Sequence, residues 1–315
     1  MGNMVCKVKE RAIFVVMIVI FLFFTIKTDT FCTINNLLNI TRQVSVLGIA
    51  SVGMTMVILT GGIDLATGSI ITFVNIVTAY LMVNMGLNMW VSIIVALIAS
   101  TIIGLLNGIA VANLKMPALI VTFASQTIFE GIAYMICKGL PIFGFSDTFA
   151  YIGQGYLFGM PFPIYLLIAA FLIGGFILAK AYFGRYIYAV GGNEEASELS
   201  GIRVKQIKWM VYALSGLFAG IAGIVMLSRT NSGQPTAGKG YEFDVITAVV
   251  LGGVSVNGGS GKITNVLAGV LIIGMLSNGM VLLNVSSYSQ MVVKGIILAL
   301  AVGFDCVQQL SMNKK

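Results

Sequence analysis

The feature that most constrains this chain is a succession of apolar runs separated by short polar breaks. A helix needs about 20 apolar residues to cross the hydrocarbon core of a bilayer. Candidates recur at 12–26, 44–60, 67–85, 89–113, 117–137, 162–182, 207–228, 244–256, 263–283 and 288–307. The eighth, 244–256, is short for a crossing. Composition removes the soluble alternative: only 9% of the 315 residues are charged and 58% are hydrophobic, with a mean hydropathy of +1.00. A soluble domain carries roughly a quarter charged residues. The surface must therefore face lipid, and the chain reads as an all-α polytopic membrane protein. About ten transmembrane helices would form one domain over residues 1–315.

Charge orients these runs. Lys7, Lys9 and Arg11 precede the first, and no small-x-small cleavage site follows it, so it reads as a retained helix with its N-terminus inside. Ten crossings return the C-terminus to the same side. Twelve of the 18 basic residues then fall inside. Five fall outside (Lys27, Arg42, Lys138, Arg229 and Lys239), and Lys294 lies within the last run. That is the bias of the positive-inside rule. The net charge of +7 follows from topology and forms no clustered patch for nucleic acid.

Several chemistries are missing. There is no histidine, which removes imidazole catalysis and the usual metal imidazoles. The four cysteines are scattered without CxxC spacing and read as small apolar residues. Gly233 to Lys239 fits the GxxxxGK part of a phosphate-binding loop, but Gly240 stands where Ser or Thr must hold magnesium. Gly258–Lys262 fails too, because Val256 occupies the first glycine position. The chain has no ATP site and no catalytic constellation. Glu130 is the one acid placed well inside a run. Ion-coupled carriers use intramembrane ionisable groups, so an ion-coupled sugar carrier acting without an ATPase is the second reading.

Two glycine strings mark turns. In Leu59–Ser69, Gly61 and Gly62 permit unusual backbone angles, and Asp64 and Thr67 can cap the following helix. The string is either a polar inner-face turn or a feature serving a gate or a partner, with Gly61, Gly62, Asp64, Gly68 and Ser69 as its candidates. A similar string, Leu251–Ser260, adds Gly252 and Gly253. Within the runs stand Asn75, Asn107, Gln126, Glu130, Asn278 and Asn284. They either bond helix to helix or line a path for an uncharged, hydroxyl-rich solute. Gly104 and Gly108, and Gly216, Gly220 and Gly223, permit close helix packing. The aromatic outer loop 138–161 reads as a structured interfacial segment or a docking surface. A second outer loop is expected at Arg229–Phe243.

The longest polar interval lies between the sixth and seventh runs. Asn193 is a good helix cap, Glu194 and Glu195 suit the positive helix end, and Gly201 can take the left-handed angle that stops a helix. A short helix is expected at about 194–200, inside a loop spanning about 184–206. Ala196 and Ser200, small and four apart, leave one side open to a partner. The alternative is a solvated loop.

These residues carry a resemblance. Gly191-Gly192-Asn193-Glu194-Glu195-Ala196, with Leu199-Ser200-Gly201-Ile202, resembles the coupling loop of ABC-type sugar permeases of the ribose family. Leu59-Thr60-Gly61-Gly62-Ile63-Asp64-Leu65 with Gly68-Ser69, Gln234-Pro235-Thr236-Ala237-Gly238 with Gly240-Tyr241-Glu242, and Ala248-Val249-Val250-Leu251-Gly252-Gly253 resemble the same family. So does Val285–Met291 with Val293-Lys294, and the likeness runs from about 35 to 305. The chain departs from the family at Glu130-Gly131, where a basic residue often stands, and at Ala66-Thr67. The resemblance implies a ten-helix permease of the type II importer kind, working as a homodimer or beside a similar permease in the inner (plasma) membrane. It implies two further partners: a cytoplasmic ABC ATPase that binds ATP and magnesium, and an extracytoplasmic sugar-binding protein. ATPase closure would push on residues 192–202.

Overall fold

The structure, a computed structural model, describes the backbone of residues 2–313 and the side chains of residues 13–307. Cys6, Lys7, Lys9, Arg11, Lys314 and Lys315, counted above, lie outside the described side chains. Among the described residues, eight helices are long and apolar enough to cross a membrane. They are α2 (Ile34–Leu59), α3 (Ala66–Val83), α4 (Met89–Asn113), α5 (Ala118–Cys137), α7 (Phe162–Ala179), α10 (Val204–Thr230), α12 (Ile263–Leu282) and α13 (Ser287–Asn313). Helix α1 (Gly2–Lys27) adds the apolar stretch Ile13–Lys27, packed on α12.

The core forms around α2, in which every residue from Val44 to Leu59 is buried. Helices α7, α10 and α12 surround it, and α10 also packs on α3 and α4. The seam between α4 and α10 depends on missing side chains. A Cβ on Gly104 would strike the carbonyl of Tyr212, and one on Gly216 would strike the carbonyl of Ser100. Close packing at these glycines is what the sequence leads one to expect. Outward faces stay apolar, as at Trp90, Ile94 and Ile98 on α4 and Leu172 and Phe176 on α7.

Polar breaks between the spans fold into short elements. At one end lie α8 (Tyr182–Gly192) and α9 (Glu194–Leu199). The opposite end carries α6 (Asp147–Gln154) and a hairpin of β1 (Tyr156–Leu157) with β2 (Met160–Pro161). Ser228 of α10 ties that cap down, donating to the Phe149 carbonyl at 2.6 Å and accepting from the Gly153 N–H at 2.7 Å. The aromatic loop is thus structured, as its composition implies.

One crossing departs from expectation. Residues 231–243 do not form an outer loop, and 244–256 is not a helix that spans alone. After α10 the chain turns back into the protein and descends along α3, residues 235–240 as a succession of tight turns. Gly233 pairs with Ile142 at the far end (both bonds 2.8 Å). Lower down, the Gln234 N–H donates to Asn75 Oδ1 at 2.9 Å, and the Gly238 N–H donates to Thr72 Oγ1 at 2.9 Å. The short helix α11 (Tyr241–Leu251) then completes the crossing. Non-helical backbone survives at membrane depth where protein satisfies it or where it lines a water-filled cavity. Here two side chains of α3 supply the acceptors.

Candidate functional site

Helix α9 forms as its residues require. The Asn193 side chain accepts from the Ala196 N–H at 2.8 Å, and Gly201 closes the turn with φ +86°. Lys208 on α10 reaches back to Glu194 at 2.7 Å. Glu194, Glu195, Ala196, Leu199, Ser200 and Gly201 are exposed, and only Ser197 of α9 is buried. Leu199 is 85% exposed, an apolar side chain held out from a polar loop. The preceding α8, a helix where the sequence reading has loop, anchors this feature.

That anchor is a junction of three glycine-bearing backbones. The Gly259 N–H donates to the Leu59 carbonyl at 2.9 Å. A Cβ on Gly258 would lie 2.7 Å from the Gly61 nitrogen and 3.0 Å from the Gly191 carbonyl, and one on Gly259 would lie 2.8 Å from Gly192 Cα. Gly61, Gly258 and Gly259 hold φ of +78°, +86° and +70°, angles that disfavour any side chain. The end of α2, the end of α8 and the turn after α11 are therefore in backbone contact directly beneath α9. Gly61, Gly62 and Gly192 meet here as one cluster, together with Asn257 and Gly258–Gly259, which in the sequence were only part of a glycine string and of a failed phosphate-loop match. Gly252 and Gly253 stand apart, closing α11 against Val266 of α12. A cavity of about 630 Å³ opens beside the junction between Gly192, Lys115, Lys208 and Tyr212.

Asp64 is not at a surface turn. It is fully buried, accepting from the Ala66 N–H at 3.0 Å and from the Ser215 hydroxyl at 2.7 Å. It starts α3 as expected, but at the level of Ser215, well along α10. Ser69 returns its hydroxyl to the Ala66 carbonyl. Gly68, in the first turn of α3, makes room for Glu242, whose carboxylate would strike a Cβ at that position.

A second cluster surrounds that contact. Glu242 is 3% exposed, and its Oε1 accepts from Gln126 Nε2 of α5 at 3.0 Å. Glu130, one turn further along α5, is half-buried, and Thr127 between them is exposed. On the descending segment Gln234, Thr236 and Lys239 are exposed. Lipid does not accommodate such groups at this depth, so they border an aqueous vestibule or a partner. Gln126, Glu130 and Asn75 thus gather around residues 231–242, with Asn75 occupied by the Gln234 N–H. Asn278 is elsewhere, in a reciprocal amide pair with Asn36 (2.9 and 3.0 Å). Asn107 is buried on α4, its Nδ2 without a partner. Glu130 is not the only embedded acid: Asp64, Glu242 and Asp244 are embedded as well. Glu242 lies just before the run 244–256 and Asp244 is its first residue, so neither reads as well inside a span.

Comparison with known proteins agrees with this architecture. Residues 36–302 match the model of a family described as branched-chain amino acid transport system / permease component. The ribose import permease protein RbsC of Haemophilus influenzae is 43% identical over 300 residues, covering 94% of this chain and 93% of that protein. RbsC of Bacillus subtilis is 44% identical over 272 residues, 86% of this chain and 84% of that one. The L-arabinose transport system permease protein AraH of Escherichia coli is 41% identical over 300 residues, 95% and 91% of the two chains. No solved structure gives a significant match. With most of its length matched by the family model and by full-length permeases, the chain belongs to the branched-chain amino acid transport system / permease component family.

Proposed function

We propose that the chain is the permease subunit of an ATP-driven importer that moves ribose or a related monosaccharide across the inner (plasma) membrane. The observation that carries this reading is the 43% identity, over nearly the whole of both chains, with a ribose import permease. The family description names branched-chain amino acids and another relative names arabinose. Ribose is preferred because the RbsC proteins of Haemophilus influenzae and Bacillus subtilis, at 43% and 44% identity, exceed the 41% of AraH of Escherichia coli. The embedded acids remove the sequence-based objection to an ion-coupled carrier, so the preference for ATP drive rests on the relatives.

In this reading α9 faces the cytoplasm, and Leu199, Glu195 and their neighbours are where a separate ATPase docks, supplying ATP and magnesium chemistry. Its push passes through the glycine junction to the ends of α2 and α11. A sugar-binding protein docks at the opposite end, on the α6 and hairpin cap. The exposed face of α5, apolar at Leu119, Phe123 and Ile128, fits pairing with a second copy or a similar permease, with Gln126, Thr127 and Glu130 leaving a polar path between the two. Transport, rather than catalysis, is then the work of this chain.

The test is reconstitution with an ATPase and a sugar-binding protein that co-purify with it. Ribose uptake into proteoliposomes that requires ATP is the expected result. Uptake by the permease alone under a proton or sodium gradient would favour the ion-coupled carrier. Glu195→Lys and Gly201→Pro should abolish sugar-stimulated ATP hydrolysis while the chain still inserts; normal stimulation in both would sink the role of α9.

A further inference from the structure

Resting on that reading, and on the exposed polar groups at 234, 236 and 239 bordering water rather than a partner, the structure assigns Glu242 as the residue that tests the solute's hydroxyl groups at the floor of the vestibule they would line, a specificity-determining role. Its depth follows from two anchors. Asp64 meets Ser215, and Gly223 of α10 lies within 2.7 Å of the Ile71 carbonyl for an added Cβ. Gly68, against which Glu242 packs, falls between these anchors, at the middle of the 27-residue α10. The descending segment leads to this point, and its exposed Gln234, Thr236 and Lys239 line the approach.

The carboxylate itself is incompletely satisfied. A carboxylate offers about four acceptor positions. Gln126 fills one on Oε1, and the backbone N–H groups of Gly240 and Glu242, free in the first turn of α11, lie near the same group. Oε2 is buried and has no donor. A buried carboxylate oxygen without a donor is expensive. The solute that relieves it must bring hydroxyl donors and no negative charge, which describes a neutral polyol. A site built to accept from a hydroxyl rejects the analogue lacking it, because its polar atom is then left unpaired. Glu242 lies far from α9, so selection there is separable from ATPase coupling.

The experiment measures ATP hydrolysis and labelled ribose uptake in the same proteoliposomes, which hold the permease, its ATPase and the binding protein. Glu242→Gln should leave binding-protein-stimulated hydrolysis within about twofold of wild type and lower uptake at least about tenfold, the scale of one lost polar contact. The double variant Gln126→Glu/Glu242→Gln rebuilds the side-chain pair with its charge moved to α5, and uptake should stay low. Restored uptake in the double variant overturns the proposal, since the pair would then serve only to hold α5 to α11. Uptake within twofold of wild type in Glu242→Gln also overturns it, as does parallel loss of stimulated hydrolysis. If Glu242→Gln fails to insert, Glu242→Asp decides: depressed uptake with retained hydrolysis supports the role, and unchanged uptake overturns it. Absence of ribose uptake by the wild-type complex is a separate result, which sinks the proposed function before any variant is compared.

Discussion

Lys294 of α13 and Asp244 of α11 form an ion pair, Nζ to Oδ2 2.6 Å, with only 25% and 19% of their side chains exposed. The pair sits inside the apolar region and fastens a peripheral helix to the half-helix of the composite crossing. A second tie lies further along, where Asp305 accepts from the Val256 N–H at 3.2 Å. Helix α13 is thus held to α11 and to the turn after it by polar contacts at two levels.

Removing one partner of a buried pair leaves an uncompensated charge and costs about 3–5 kcal/mol, whereas replacing both by apolar groups is often near neutral. Asp244→Asn should therefore lower the melting temperature in detergent markedly. Lys294→Met combined with Asp244→Leu should recover most of the loss. Equal melting of the single and double variants would show that the pair does not hold α13.

The seam between α4 and α10 should tolerate no side-chain growth. Gly104→Val places methyl groups against the backbone at Tyr212, and overpacking of this kind costs about 1–3 kcal/mol or more. Gly131→Val is the control, since nothing lies within 4 Å of its position. Thermal melting in detergent should fall for the first and hold for the second.

Ser215→Ala removes the hydroxyl that satisfies Asp64 Oδ2 at 2.7 Å. Leaving a buried acceptor unpaired costs about 1–3 kcal/mol, more for a charged group. Ser215→Cys, with a weak donor of similar size, should fall between. Melting temperatures of the three proteins provide the check.

Leu199→Ser should barely alter stability, because the side chain is exposed and surface changes lie within about 0.5 kcal/mol. It should weaken ATPase binding and sugar-stimulated hydrolysis. Asn193→Ala should do the same by loosening α9, with a local cost of about 1 kcal/mol for the lost cap. Both are measured by co-purification of the ATPase and by hydrolysis rates.

By itself the sequence determined most spans, the short helix at about 194–200 (Glu194–Leu199 in the structure) with its Asn193 cap and Gly201 stop, and the glycine-lined helix seam. Each depends on residues within a few positions of one another: apolar length, a capping side chain, a glycine every few residues. Tertiary structure decided the rest. Residues 231–240 look like an outer loop because their polarity and glycines are all that local reading registers. They enter the protein because Asn75 and Thr72, 159 and 166 positions away from their partners, accept the N–H groups that lipid could not. That descent sets Glu242 beside Gly68, at mid-depth, and places Asp244 opposite Lys294. No hydropathy window contains both members of any of these pairs. The free energy that keeps acids in the membrane comes from contacts that exist only once the helices have packed.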